Sequence, residues 1–226
     1  LSAAVGWRFG FGYLLPVFVI TGLGIWYVVP GRNHGSSQDG FRKTMRQVAS
    51  TITQYQVLLV TCVLFLTMFI YQSVTGFLPT YLVATKDVSA TFATVLYGLF
   101  FASAIVFQFF SGILSDRAGQ RIGLAVFIGM SVPAFVLLSM VTSPVALILV
   151  VVLLGSVLGG FPPGHAYAVR SLPTEIQGSG YGLLRTVYIS LGAGGPVVIG
   201  LLADYDYFDE GFILLALVAL IACVIS

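Results

Sequence analysis

The chain has 226 residues, of which 58% are hydrophobic and only 8% charged, with a formal net charge of +2. Soluble domains carry about a quarter charged residues, so the composition excludes a water-coated globule and points to an exterior that faces lipid. The small charge leaves no basic footprint for nucleic acid, and Cys62 and Cys223, both in apolar runs, argue against a disulfide framework, a metal site or a bound cofactor.

A membrane helix needs about 20 mainly apolar residues. Seven such runs follow one another, at approximately 8–30, 56–83, 93–114, 122–141, 145–169, 181–203 and 211–226. They are continuous rather than alternating, which excludes barrel strands. The last is short and reaches the final residue. Lys and Arg gather in cytoplasmic loops. Here Arg32, Arg42, Lys43, Arg46, Arg117, Arg121 and Arg170 all follow odd-numbered spans, against Arg8 and Lys86 on the other side. Loops 31–54, 112–121 and 170–180 are therefore expected to face the cytoplasm. The first span then enters from outside, an orientation that implies further spans upstream.

Taken in order, the first run is followed by the one long connection, residues 31–54. Phe41, Met45 and Val48 recur there at helical spacing among Arg42, Lys43 and Arg46, which predicts a short basic helix on the membrane surface. The second span carries Thr67, Tyr71 and Thr75 on one face, together with Gln72. It also holds "GFLPTY", where Gly76 and Pro79 predict a break. The third span holds Gln108. An amide has four hydrogen-bonding positions to satisfy, which favours a cavity for both glutamines.

Between the third and fourth spans lies "SGILSDRAGQRIG", in which Asp116, Arg117 and Arg121 sit within six positions, with Gly112 and Gly119 on either side. The positive-inside effect accounts for the arginines alone. An aspartate between glycines, which permit close backbone approach or a left-handed turn, suggests a charged latch. The fifth span contains "GSVLGGFPPGHAY", with expected breaks at Gly159, Gly160, Pro162 and Pro163. Gly155 with Gly159, Gly178 with Gly182, and the group Gly192, Gly194 and Gly195 predict close helix packing. The sixth span offers Arg185 and Tyr188. Arg185 has three readings: it snorkels to the surface, pairs with Glu175, or meets an anionic substrate or gate. No Asp or Glu lies within a span, and His165, toward the cytoplasmic end, is the only relay candidate here; a proton-driven carrier is expected to hold its acceptor in the other half, and otherwise the protein is a uniporter or an exchanger. The acidic stretch "DYDYFDEG" reads as a solvated loop.

The stretch "GILSDRAGQR" resembles the signature loop of the major facilitator superfamily, of the form G-x-L-[SAT]-D-R-x-G-[RK]-[RK]. Gly112, Leu114, Asp116, Arg117, Gly119 and Arg121 match; Gln120 departs, with an amide where the family often has a base. "GWRFGFGY" resembles the outer start of the sixth helix of that family, "GFLPTYL" the outer end of the seventh, and "GLLRTVYISLGAGGPVVIGLLAD" the eleventh. The resemblance implies an all-α integral membrane protein whose seven visible helices belong to a twelve-helix fold. Residues 1–30 would be the last helix of the N-terminal half, 31–54 the cytoplasmic central loop, and 55–226 the C-terminal six-helix bundle.

The function expected is transport of a small organic compound or anion across the cell membrane by alternating access, without enzymatic chemistry. Its partners would be the solute, the bilayer and the N-terminal bundle of the same chain. Transporters of this kind bind near the bilayer midplane beside interrupted helices, which makes Tyr71, Gln72, Gln108, Arg185 and Tyr188 the substrate-binding candidates. Gly112, Asp116, Arg117, Gly119 and Arg121 would form the cytoplasmic gate. A seven-helix receptor and a membrane-embedded enzyme are the alternatives.

Overall fold

The computed structural model describes residues 12, 14–28 and 54–226. The expected surface helix at 41–48, His34, and the "GWRFGFGY" stretch up to Gly10 lie outside the described residues. Two units are distinguished, divided after Phe41. In the first, α1 (Leu14–Val28) is a shorter apolar helix whose Thr21 hydroxyl donates to the Val17 carbonyl four residues back. The second is a bundle of six helices, each long and apolar enough to cross a membrane. No strand occurs among the described residues.

The bundle begins with α2 (Tyr55–Lys86), α3 (Ala90–Ala118) and α4 (Gln120–Met140). The fifth span is built from α5 (Pro144–Leu154), α6 (Ser156–Gly159) and α7 (Phe161–Arg170). A 3-10 turn at Thr174–Ile176, α8 (Gln177–Gly192) and α9 (Gly194–Asp204) make the sixth, and α10 (Phe208–Ile225) closes the bundle. Helix α2 is the hub, touching α3, α7, α8, α9 and α10. Its Val63, Ile70, Val74, Leu78 and Tyr81 share one core with Phe100 of α3, Phe135 of α4 and Phe212 of α10. Ile105, Phe109 and Phe110 of α3 lie exposed, as side chains directed at lipid or at another helix bundle must.

The break expected at Gly76 and Pro79 is absent, because α2 runs unbroken through both. Proline lacks the amide hydrogen that would reach the carbonyl four residues back. That carbonyl belongs to Thr75, and the Tyr97 hydroxyl of α3 donates to it at 3.0 Å. A side chain from the neighbouring helix thus replaces the missing backbone donor, and the helix continues.

The fifth and sixth spans are interrupted instead, at Gly155 and Gly160 and at Ala193. All three residues keep right-handed helical dihedrals. Pro162 and Pro163 fall at the start of α7, where an absent amide hydrogen costs nothing. The glycines at these junctions face neighbours closely. A Cβ at Gly155 would run into Ser103 of α3, and one at Gly159 would come within 2.7 Å of the Phe127 ring of α4. A Cβ at Gly195 would collide with the Phe69 carbonyl and the Ser73 hydroxyl of α2. Around Gly178 and Gly182, the second expected close pair, no described atom lies within 4 Å of a built Cβ. Both sit near the start of α8.

These contacts set a paired test of packing. Gly195→Ala must push α9 from α2 and is expected to cost about 1–3 kcal/mol. Gly194→Ala enters open space and gains helix propensity of about 1 kcal/mol at most. Thermal unfolding of the detergent-solubilised protein checks this, with a lowered Tm for the first variant only.

Candidate functional site

Side chains from three spans meet at a cavity of about 350 Å³ beside the Gly160 junction. Met68 and Tyr71 come from α2, Gln108 from α3, and Phe161, Pro162 and His165 from α7, with Leu158 of α6 at the edge. Their meeting follows from the junction. At Gly160 the chain packs on Ile128, where a Cβ would come within 2.9 Å, and α7 starts afresh with Phe161 turned toward α2. The Tyr71 and Phe161 rings meet edge to face, with centroids 5.5 Å apart, a favourable aromatic geometry. Phe161 also lies 5.5 Å from the His165 ring. Gln108 is half-buried, and its amide has no hydrogen-bond partner among the described residues.

Behind the cavity, Tyr188 of α8 is completely buried and its hydroxyl lies 3.2 Å from His165 Nε2. The two rings are nearly parallel. Tyr181, two turns earlier on α8, stands edge-on to His165. Gln72 is turned away from the cavity: its amide Nε2 donates to the Ile189 carbonyl at 3.1 Å and ties α2 to α8. Arg185 lies nearly one turn before Tyr188 on α8 and is exposed. It forms no ion pair with Glu175.

Of the five binding candidates, then, Tyr71 and Gln108 line the cavity and Tyr188 backs it. Gln72 stands behind it, and Arg185, exposed on α8, is not among the residues that line it. Sequence reasoning missed Phe161, Met68 and Leu158. The signal for Phe161 was its place directly after two glycines and before two prolines, where a new helix must begin. The hydroxyls of Thr67 and Thr75 donate to carbonyls of their own helix.

At the arginine-rich end, α3 and α4 are joined by one residue. Gly119 has φ +97°, a backbone region that side chains disfavour. Its amide donates to the Ser115 carbonyl at 3.0 Å, ending α3. Asp116 and Arg117 are exposed, and neither forms an ion pair among the described residues. Arg121 is engaged by a tyrosine rather than by the neighbouring carboxylate. Its Nε donates to the Tyr167 hydroxyl of α7 at 2.9 Å, and its guanidinium lies 5.2 Å from that ring. With its amide oxygen turned toward Arg170, Gln120 accepts from the guanidinium at 2.9 and 3.2 Å. A base at that position would face Arg170 with like charge. Gly112 has no neighbour within 4 Å of a built Cβ among the described residues.

The opposite end holds a network that the sequence did not reveal. Lys86 ends α2 with its side chain only 3% exposed, and its Nζ lies 3.2 Å from Asp209 Oδ1 at the start of α10. The same ammonium donates to the Ser139 carbonyl of α4 at 2.8 Å. Tyr81 donates its hydroxyl hydrogen to Asp209, and Lys86 sits 5.3 Å from the Tyr81 ring centre. Three helix ends are thereby tied through one buried cation. Asp209 is thus part of an ion pair rather than of a merely solvated loop.

A family model described as the Major Facilitator Superfamily matches residues 1–194 and, in a second match, 85–226. No curated protein matches the chain.

The Lys86 network predicts an asymmetry between its partners. Asp209→Asn leaves a buried ammonium without its counter-charge and is expected to cost about 2 kcal/mol, reduced from the loss of a fully buried pair by the partial exposure of Asp209. Lys86→Met removes the charge and keeps the packing, and is expected to cost less than half as much. Thermal unfolding of both variants in detergent measures the difference.

Proposed function

The chain belongs to the Major Facilitator Superfamily, and from that premise we propose that it carries a small organic solute or anion across the cell membrane by alternating access. It is a multi-pass membrane protein of the transporter type. In this reading residues 1–30 are the last helix of an N-terminal half, 31–54 a cytoplasmic linker and 55–226 the C-terminal bundle. The arginine-rich end of the bundle faces the cytoplasm, as the positive-inside rule requires.

One observation carries the reading. Tyr71, Gln108 and His165, from three different spans, converge on one cavity next to an interrupted helix. A cavity with a largely apolar wall and a few convergent polar groups suits a small organic ligand. Tyr71 and Gln108 touch the solute directly. Gln72 and Tyr188 hold α8 as the rear wall.

Motion belongs to the fifth and sixth spans, whose junctions at Gly155, Gly160 and Ala193 interrupt the helix. Helix α2 runs whole through Gly76 and Pro79. At the cytoplasmic end, Arg121 and Gln120 brace the α3–α4 hairpin against α7 through Tyr167 and Arg170. Asp116 and Arg117, exposed beside them, are placed to meet the other half of the carrier when that side closes.

Accessibility tests this directly. In the full-length protein with native cysteines replaced by alanine, Tyr71→Cys in sealed vesicles is expected to react with a membrane-impermeant maleimide from either side, each exposure excluding the other. A receptor or a membrane enzyme predicts reaction from one side or none. Arg121→Ala is expected to raise cytoplasmic labelling about fivefold, the equivalent of losing one hydrogen bond of about 1 kcal/mol.

A further inference from the structure

Among the described residues that wall the cavity beside Gly160, none is Asp, Glu, Lys or Arg. A charge drawn out of water against such walls meets no counter-charge, and its burial is costly. The part of a ligand that seats here is therefore uncharged. The walls also favour a flat outline. Phe161 stands at 89° to the Tyr71 ring and is tilted by 34° from the His165 ring. Ring faces and edges suit a planar partner, and the unbranched Met68 side chain adapts to its rim.

Three polar side chains reach this cavity, and they are not equally free. His165 Nε2 is engaged by the Tyr188 hydroxyl at 3.2 Å. Tyr71 offers a single hydroxyl. Gln108 offers a whole amide, half-buried and without a hydrogen-bond partner among the described residues, between Phe107 and Phe109 in the chain. Gln72 makes the contrast, since its amide is already bonded to the Ile189 carbonyl. A side-chain amide holds an acceptor and a donor side by side in one plane. One edge satisfies both at once: an N–H next to an acceptor on a planar ring, as when glutamine reads adenine with two bonds. Turning the amide over exchanges its two ends, so the pairing holds for either assignment of oxygen and nitrogen. Of the two common edges of this kind, an amino group beside a ring nitrogen gains a proton readily and would bring a charge to an uncharged wall. A cyclic amide stays neutral.

We propose that Gln108 selects an uncharged planar lactam, a ring that carries an N–H and a carbonyl on neighbouring atoms, and that this is the chemical class of the solute. The proposal rests on the carrier reading above and narrows its solute. Gln108 Oε1 accepts from the N–H of the lactam and Nε2 donates to its carbonyl, while the ring lies against Phe161 and Tyr71. A ligand without the N–H leaves Oε1 facing an apolar atom in a half-buried site, and that unmade bond is the source of discrimination. A carboxylate on the same ring is refused because no wall residue carries the charge to receive it.

The test is calorimetric titration of the full-length protein in detergent with three fused-ring probes. Carbostyril is the lactam, N-methylcarbostyril keeps its ring and carbonyl but has no N–H, and quinaldate replaces the lactam edge by a carboxylate. Carbostyril is expected to bind, N-methylcarbostyril to bind about tenfold more weakly or worse, and quinaldate to be weaker than carbostyril by at least about tenfold. These comparisons need no variant, so they decide the matter even if a substitution unfolds the protein. Gln108→Met keeps the length of the side chain and removes its amide. It is expected to hold carbostyril and N-methylcarbostyril equally, within about twofold, which separates the hydrogen bond from the bulk of the added methyl. The proposal is overturned if carbostyril does not bind, if N-methylcarbostyril or quinaldate binds as tightly, or if Gln108→Met keeps the original preference. Should Tyr71→Cys still label alternately from the two sides in any of those cases, the carrier reading stands and the assignment of the solute alone fails. Should labelling be one-sided while the lactam preference holds, the ligand class stands and the carrier reading fails.

Discussion

In hydrocarbon no water is at hand to accept or donate a hydrogen bond, so every backbone amide and carbonyl must find its partner within the protein. Six long helices meet that demand, and departures from them carry a local remedy. Pro79 strips the Thr75 carbonyl of its donor, and Tyr97 supplies one from the next helix. Several Ser and Thr hydroxyls inside the spans turn back onto carbonyls of their own helix, as Thr61, Thr67, Ser73 and Ser115 do. Where the helix is interrupted, the chain keeps near-helical dihedrals and the junction is pressed against a neighbour by glycine.

The same scarcity governs where charge is spent. At one end a lysine is buried, and that burial is tolerable only because Asp209, the Ser139 carbonyl and the Tyr81 ring surround it. At the other end Arg121 and Arg170 find uncharged oxygens on Tyr167 and Gln120. Between the two ends, the cavity concentrates the few polar groups that have no structural duty. Gln72 is used up in holding α8, while Gln108 is not. That division separates scaffold from candidate contact more sharply than residue type does.

Features carried by one segment were legible in the sequence: the six spans of the bundle, the tight turn at Gly119 and the family itself. Apolar runs and a loop motif need no distant partner to be recognised. Features that join distant segments were not. Lys86 and Asp209 are 123 positions apart, and charge counting alone cast one as a topological marker and the other as loop solvent. The break assigned to Gly76 and Pro79 failed for the same reason, since its remedy lies on another helix. Gly178 and Gly182 show the converse: spacing suggests a packing face, yet only the bundle decides whether a neighbour is there. Gln120 looked like a loss from the loop pattern until Arg170 appeared beside it. Tyr71 and Gln108 were found because an unsatisfied or amphipathic side chain in an apolar span has few places to go.

A single glycine separates α3 from α4, so the two helices follow one another with no connecting loop. The second of them then spans from the Arg121–Tyr167 contact at one end to the Ser139 carbonyl that receives the buried lysine at the other. One helix thus carries both of the places where the bundle holds a cation by uncharged oxygen, and a substitution that shifts it along its axis must disturb the two together.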